Sequence, residues 1–137
     1  NNKIIGAQML GIDLNKHTAA HIYKAAQEGI AFAFRYGLDI MRENKLEPSV
    51  IKAGQANLFL SPVFTHAFVN TTGVPVALYN VEGSVGAALG AGIGVGIYKE
   101  LKDAFADTKP IQRIEPTEAD QYNLLYENWK TKLAPFL

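Results

Sequence analysis

The sequence predicts an α/β fold rich in helix, and three observations carry that expectation. Apolar residues recur at spacings of three and four from about Thr18 to Asn44, the period of one helix face. Ser61-Pro62 and Gly73 bracket a second helical stretch, as an N-cap with proline at the first helical position and a glycine stop. Short apolar runs, Ser49–Ala53 and Val74–Tyr79, flank that helix and read as strands. The order strand, helix, strand favours a parallel pair with a right-handed crossover.

The remaining elements follow in chain order. Asn1 to Leu14 has no clear period and reads as a broken strand or loop. The first helix includes Ala19, Ile22, Tyr23, Ala26, Ile30, Ala33, Phe34, Leu38 and Met41, with Asn15 or Thr18 as its cap and Leu46-Glu47-Pro48 as its end. Gly29 and Gly37 interrupt it, each at a cost of about 1 kcal/mol in an exposed helix, so a packing role is expected. Glu82-Gly83-Ser84 turns into a Gly-rich helix expected from Val85 to Ala106 and closely packed. Asp107 to Pro110 is a loop, and Ile111 to Ile114 an edge strand. Thr117 opens a last helix to Leu133, with Glu118 and Asp120 in its first turn, where they complement the helix dipole.

Bulk composition narrows the function classes. The 137 residues suit one domain or a large part of one. Thirteen basic and thirteen acidic residues give zero formal charge, so no electrostatic footprint for nucleic acid or an anionic membrane is expected. The absence of cysteine excludes disulfides and thiolate metal sites and fits a cytoplasmic setting. The uncharged run Val85–Tyr98 is shorter than the roughly 20 residues a membrane-spanning helix needs. The N-terminus does not read as a signal peptide.

The stretch most suggestive of chemistry is Val50 to Asn57, where a strand delivers Ala53-Gly54-Gln55-Ala56-Asn57 to a helix start. Glycine lets a flat ligand approach the backbone, and a helix start offers unpaired N–H groups. Two readings stand: a plain turn that needs glycine for its shape, and a nucleotide contact completed by the Asn57 amide. The alternating Gly90, Gly92, Gly94 and Gly96 do not match a dinucleotide fingerprint, and no phosphate-loop element is present. His17 and His21, four apart, lack the acidic neighbour of a helical metal motif and read as helix-start histidines. Glu28 is a lone carboxylate on a mostly apolar helix, either a buried polar tie or a solvated charge. No catalytic residue and no metal ligand is assigned.

Four segments together resemble the FGGY carbohydrate kinases. Thr18 to Phe32, containing Glu28-Gly29, is similar to that family's RA-x-x-EG helix. Ile51 to Asn57 is similar to its strand and glycine turn. Thr71-Thr72-Gly73-Val74-Pro75-Val76 is similar to its turn into the next strand. Gly83 to Gly92 is similar to its small-residue helix. They occur in family order and cover most of the chain, and within the family they most resemble bacterial xylulose kinases. Two departures stand out: only Gly54 is present where the family usually has two or three glycines, and Lys24 replaces a frequent Arg.

The resemblance implies a ribonuclease H-like fold of the actin and hexokinase type. It implies that residues 1–137 form the C-terminal segment of the second, nucleotide-side domain. The activity implied is phosphoryl transfer from MgATP to a pentulose such as D-xylulose. Ala53, Gly54, Gln55 and Asn57 would then lie against adenosine. The sugar pocket, the phosphate element, the metal site and the proton-accepting Asp lie upstream in the family, so the segment alone is expected to be inactive. ATP or ADP and the sugar are the expected partners, and a homodimer is compatible with the sequence. The alternatives are a non-catalytic, actin-like nucleotide-binding or interaction module, and a structural domain whose Gly-rich helix packs on a partner subunit.

Overall fold

The computed structural model describes residues 6–81, 83–106 and 109–137. The expectations for Asn1–Ile5, for Glu82 at the turn, and for Asp107 and Thr108 in the loop therefore fall outside the described residues. Helix α1 spans Ala19–Glu43. Thr18 is its extended N-cap, and the Thr18 N–H donates to His21 Nδ1 at 3.1 Å. His21 thus does what Glu or Gln does in an ordinary capping box. The helix ends earlier than Leu46-Glu47-Pro48. Lys45 enters the left-handed region (φ 64°), and the N–H groups of Lys45 and Leu46 close back on the carbonyls of Arg42 and Met41 at 2.8 and 3.0 Å. That is a Schellman ending with lysine where glycine is usual.

Strand β1 is Ile51–Gly54, and a 3₁₀ turn follows at Asn57–Leu60. Helix α2, Pro62–Thr72, begins and ends as its punctuation predicts. The Ser61 side chain accepts from the Phe64 N–H, and Gly73 takes the left-handed conformation (φ 66°) that closes the helix. Strand β2, Val76–Tyr79, pairs parallel with β1, from Ile51 opposite Val76 to Gly54 opposite Tyr79. Strand β3, Pro110–Ile114, pairs antiparallel with β2, giving the order β1-β2-β3.

The core lies on one face of this sheet. From Phe64 to Thr72, only His66 is not buried, so α2 is covered nearly all round and forms the middle of the molecule. Phe64, Phe68 and Val69 meet Val76 and Leu78 below, and Ile51, Ala53 and Ile114 pack at the margin. Helix α1 contributes Ala31 and Phe32, and helix α5, Ala119–Leu133, contributes Tyr122 and Tyr126. Several of the α1 residues that revealed the helical period point outward instead: Tyr23, Ile30, Phe34 and Met41 are all exposed.

Helix α5 starts two residues later than Thr117. The Asn70 side chain of α2, itself buried, accepts from the N–H groups of Thr117 and Glu118 at 2.7 and 2.6 Å. This holds both residues outside the helix, with Glu118 as N-cap and Asp120 in the first turn.

The Gly-rich stretch departs most from expectation. It is not one helix but two, α3 at Gly83–Gly94 and α4 at Leu101–Ala104. The break has a local cause. Gly96 adopts φ 79°, and the N–H groups of Gly96 and Ile97 reach the carbonyls of Ile93 and Gly92 at 3.0 and 2.8 Å. A second Schellman ending stops the helix there. Nor is α3 closely packed. Gly92, against the Tyr98 ring, is its one buried residue, and a Cβ added at Gly86, Gly90 or Gly94 would meet nothing within 4 Å.

Candidate functional site

Because β1 and β2 run parallel, their carboxyl ends lie at the same end of the sheet, where open α/β sheets hold ligands. Beyond β1 the Gln55 N–H still reaches the Tyr79 carbonyl at 2.8 Å, which extends the pairing by one residue. The Ala56 N–H then folds back on the Gly54 carbonyl at 2.8 Å, and Asn57 turns through the left-handed region (φ 52°). A Cβ at Gly54 would stand 2.5 Å from the Val81 carbonyl oxygen. The turn therefore requires glycine because the backbone after β2 crosses directly over it.

A cleft of about 470 Å³ opens at this corner. Lys52, Ala53 and Gly54 of β1, Tyr79 and Val81 from the end of β2, and Lys102 and Phe105 from α4 and the turn after it line the cleft. Of the residues assigned from sequence, Ala53 and Gly54 line it. Gln55 and Asn57 are exposed just beyond and are not among the lining residues. The assignment missed Lys52, Tyr79, Val81, Lys102 and Phe105. Tyr79 and Val81 could have been found from the parallel register. Lys102 and Phe105 arrive only because the Gly-rich helix breaks.

The lining is cationic and aromatic. Among the described residues two lysines and no carboxylate line the cleft. Lys102 Nζ lies 2.9 Å from Glu100, so part of its charge is answered. Lys52 has no hydrogen-bonding or ionic partner for its side chain among the described residues. It is exposed on the sheet face opposite the core, since Ile51 and Ala53 on either side point inward.

The other polar residues have structural roles. Glu28 is a tie between helices: it accepts from the Tyr122 hydroxyl at 3.1 Å and pairs with Lys24 at 3.6 Å. Burial pushes the Tyr122 hydroxyl up to about 12, and the nearby Glu28 carboxylate adds to that shift. His66 sits beside the same hydroxyl at 3.4 Å and 3.7 Å from Glu118. His17 and His21 take part in helix-start geometry, each accepting a backbone N–H at Nδ1, from Asp13 and Thr18 respectively.

Asp39 binds Arg35 at 2.7 Å, Arg42 at 3.3 Å and the Tyr126 hydroxyl at 2.8 Å. Both arginines also donate to the last carbonyls of α2, at Thr71 and Thr72. Burial works to raise the Asp39 carboxyl, but the donors from Arg35, Tyr126 and Arg42 outweigh it and hold the group below its usual range. Among the described residues, no group of three or more His, Asp or Glu side chains is placed to hold a metal ion, and no helix is long and apolar enough to cross a membrane.

No protein-family model matches the chain. The chain is 30% identical to the L-xylulose/3-keto-L-gulonate kinase of Escherichia coli (strain K12), over 86% of its own length and 24% of that protein. It is also 30% identical to the glycerol kinase of Enterococcus faecalis (strain ATCC 700802 / V583), over 85% of its length and 24% of the relative. Among solved structures, it superposes on xylulose kinase from Rhodospirillum rubrum with a TM-score of 0.72 and 28% identity, covering 92% of this chain and 27% of that one. It therefore spans about a quarter of the length of each of these proteins.

Proposed function

We propose that this chain, which is similar in sequence and fold to a segment of FGGY-type carbohydrate kinases, is the C-terminal part of the nucleotide-side domain of such a kinase and forms the adenosine side of its ATP site. The observation that carries the reading is the cleft at the carboxyl ends of the two parallel strands, cationic and aromatic in lining and bounded by a glycine corner. Ala53 and Gly54 form one wall, and Gln55 and Asn57 flank its mouth. In the whole protein the γ-phosphoryl group of MgATP would pass to a hydroxyl of a ketopentose. D-xylulose is the acceptor we propose from the sequence resemblance; the two kinases named for xylulose support a ketopentose, one being named for the L-enantiomer and the other carrying no such label. A cytoplasmic location accords with the use of ATP.

This chain contributes binding and orientation. Phosphoryl transfer rests on placing the reacting oxygens in line and neutralising charge on the phosphates with metal ions. As the family resemblance implies, we take the metal to be held mainly by elements outside this chain. The 137 residues alone are accordingly expected to give no xylulose phosphorylation; measurable turnover by the isolated chain refutes that.

The direct test is calorimetric titration of the full-length protein with ADP. Gly54→Val drives a branched side chain at the Val81 carbonyl and deforms the corner. Binding at least tenfold weaker is the expected result. Undiminished binding removes this corner from the nucleotide site.

A further inference from the structure

Two residues outside the glycine turn face the same cleft with different chemistry. Phe105 lies just beyond α4, exposed over 37% of its surface, and is one of two aromatic side chains that line the cleft, the other being Tyr79 at the end of β2; Lys102 of α4 lines it as well. The ring belongs to neither the core cluster nor any of the close aromatic pairs among the described residues. Lys52 is the complementary case, a cation on an open strand face with no acidic partner there. The backbone turn can follow the shape of a ligand but supplies neither a flat apolar surface nor a net charge. Phe105 and Lys52 supply one each.

We infer that Phe105 and Lys52 divide recognition of a purine nucleoside diphosphate in this cleft. Phe105 stacks on the base, and Lys52 attracts the anionic end. The inference rests on the nucleotide reading above and adds the determinants of ligand class. Stacking acts on any ligand that carries the base, whether or not it bears phosphate. The lysine acts only on ligands that carry negative charge, and salt weakens its effect. Lys102, already engaged by Glu100, is a secondary cation.

These properties separate in a two-ligand titration of the full-length protein with adenosine and ADP. Phe105→Leu keeps apolar volume but removes the ring, and should weaken both ligands about equally, by roughly tenfold. Phe105→Tyr should restore both. Lys52→Gln should weaken ADP by about fivefold at low salt while leaving adenosine unchanged, and Lys52→Arg should restore ADP. Equal affinity of Phe105→Leu and wild type for adenosine overturns the stacking role. A Lys52→Gln loss that is the same for adenosine and ADP, or no loss at all, overturns the charge role. If wild type binds neither ligand, the nucleotide reading itself fails, which is a different result from binding that ignores these two residues.

Discussion

Helices α3 and α5 invert the usual link between composition and burial. α3 is built almost wholly from Gly, Ala, Val, Leu and Ile, yet it lies exposed with Gly92 as its one buried residue. α5 carries Asp, Glu, Gln, Asn and Lys through most of its length, yet it drives Tyr122 and Tyr126 into the core. The difference lies in what each helix is fastened to. α5 is held at its start by Asn70, and along its length by Tyr122 on Glu28 and Tyr126 on Asp39. Among the described residues, α3 is held by its own Schellman ending, the Tyr98 ring and packing against the short helix α4. Apolar content provides the drive for burial, but directional contacts decide which helix is seated in this chain.

The sharpest way to break that contrast is to truncate the centre. Phe64 is 1% exposed and stacks edge-on to Phe59 within the core cluster. Phe64→Ala should cost about 3–5 kcal/mol in urea denaturation. Leu89→Ala on α3, by contrast, should cost well under about 1 kcal/mol, because that side chain lies outside the core cluster. Comparable losses at both sites would mean α3 is seated after all.

A smaller effect tests the fastening. Asp39→Asn should cost about 1–2 kcal/mol at neutral pH by weakening the clasp on Arg35 and Arg42. Its signature is in the acid limb. A carboxyl held below its unfolded value, about 3.9, adds stability that is present above that pH and is lost as pH falls through the folded value. Thermal melts from pH 5 downward should fall less steeply for Asp39→Asn than for wild type. An unchanged slope would remove Asp39 from the acid response.

The smallest effect bears on α3 itself. Gly86→Ala meets nothing within 4 Å, so in an uncovered helix it should raise stability by up to about 1 kcal/mol. A loss of stability in the full-length protein would show that another surface closes on that face.

The fold was legible wherever local signals were complete. Ser61-Pro62 and Gly73 set α2 to the residue, and strand-helix-strand order gave the parallel pair. Of the two caps the sequence offers α1, Asn15 and Thr18, the helix uses Thr18. Contacts made across the chain were not legible. Asn70 meets Thr117, and Arg35 meets Thr71, over sequence separations that no periodicity encodes. The periodic stripe of α1 correctly announced a helix but met its buried face only in part: Leu38 is buried, Ala31 and Phe32 turn inward from outside the stripe, and Tyr23 and Met41 within it are exposed. At the candidate site, the corner at Ala53-Gly54 was visible because glycine marks a turn, whereas Phe105 depends on a helix break at Gly96 that apolar patterning concealed.

Strand β1 forms one margin of the three-stranded sheet, with β2 on its inner side alone. Among the described residues no strand pairs with its outer side, so every second amide and carbonyl from Ile51 to Gly54 points outward along that selvedge. Main-chain hydrogen bonding there asks nothing of a neighbour's side chains, so any extended segment can be stitched on. A strand added at that rim would widen the sheet beside the glycine corner and lengthen the floor of the cleft.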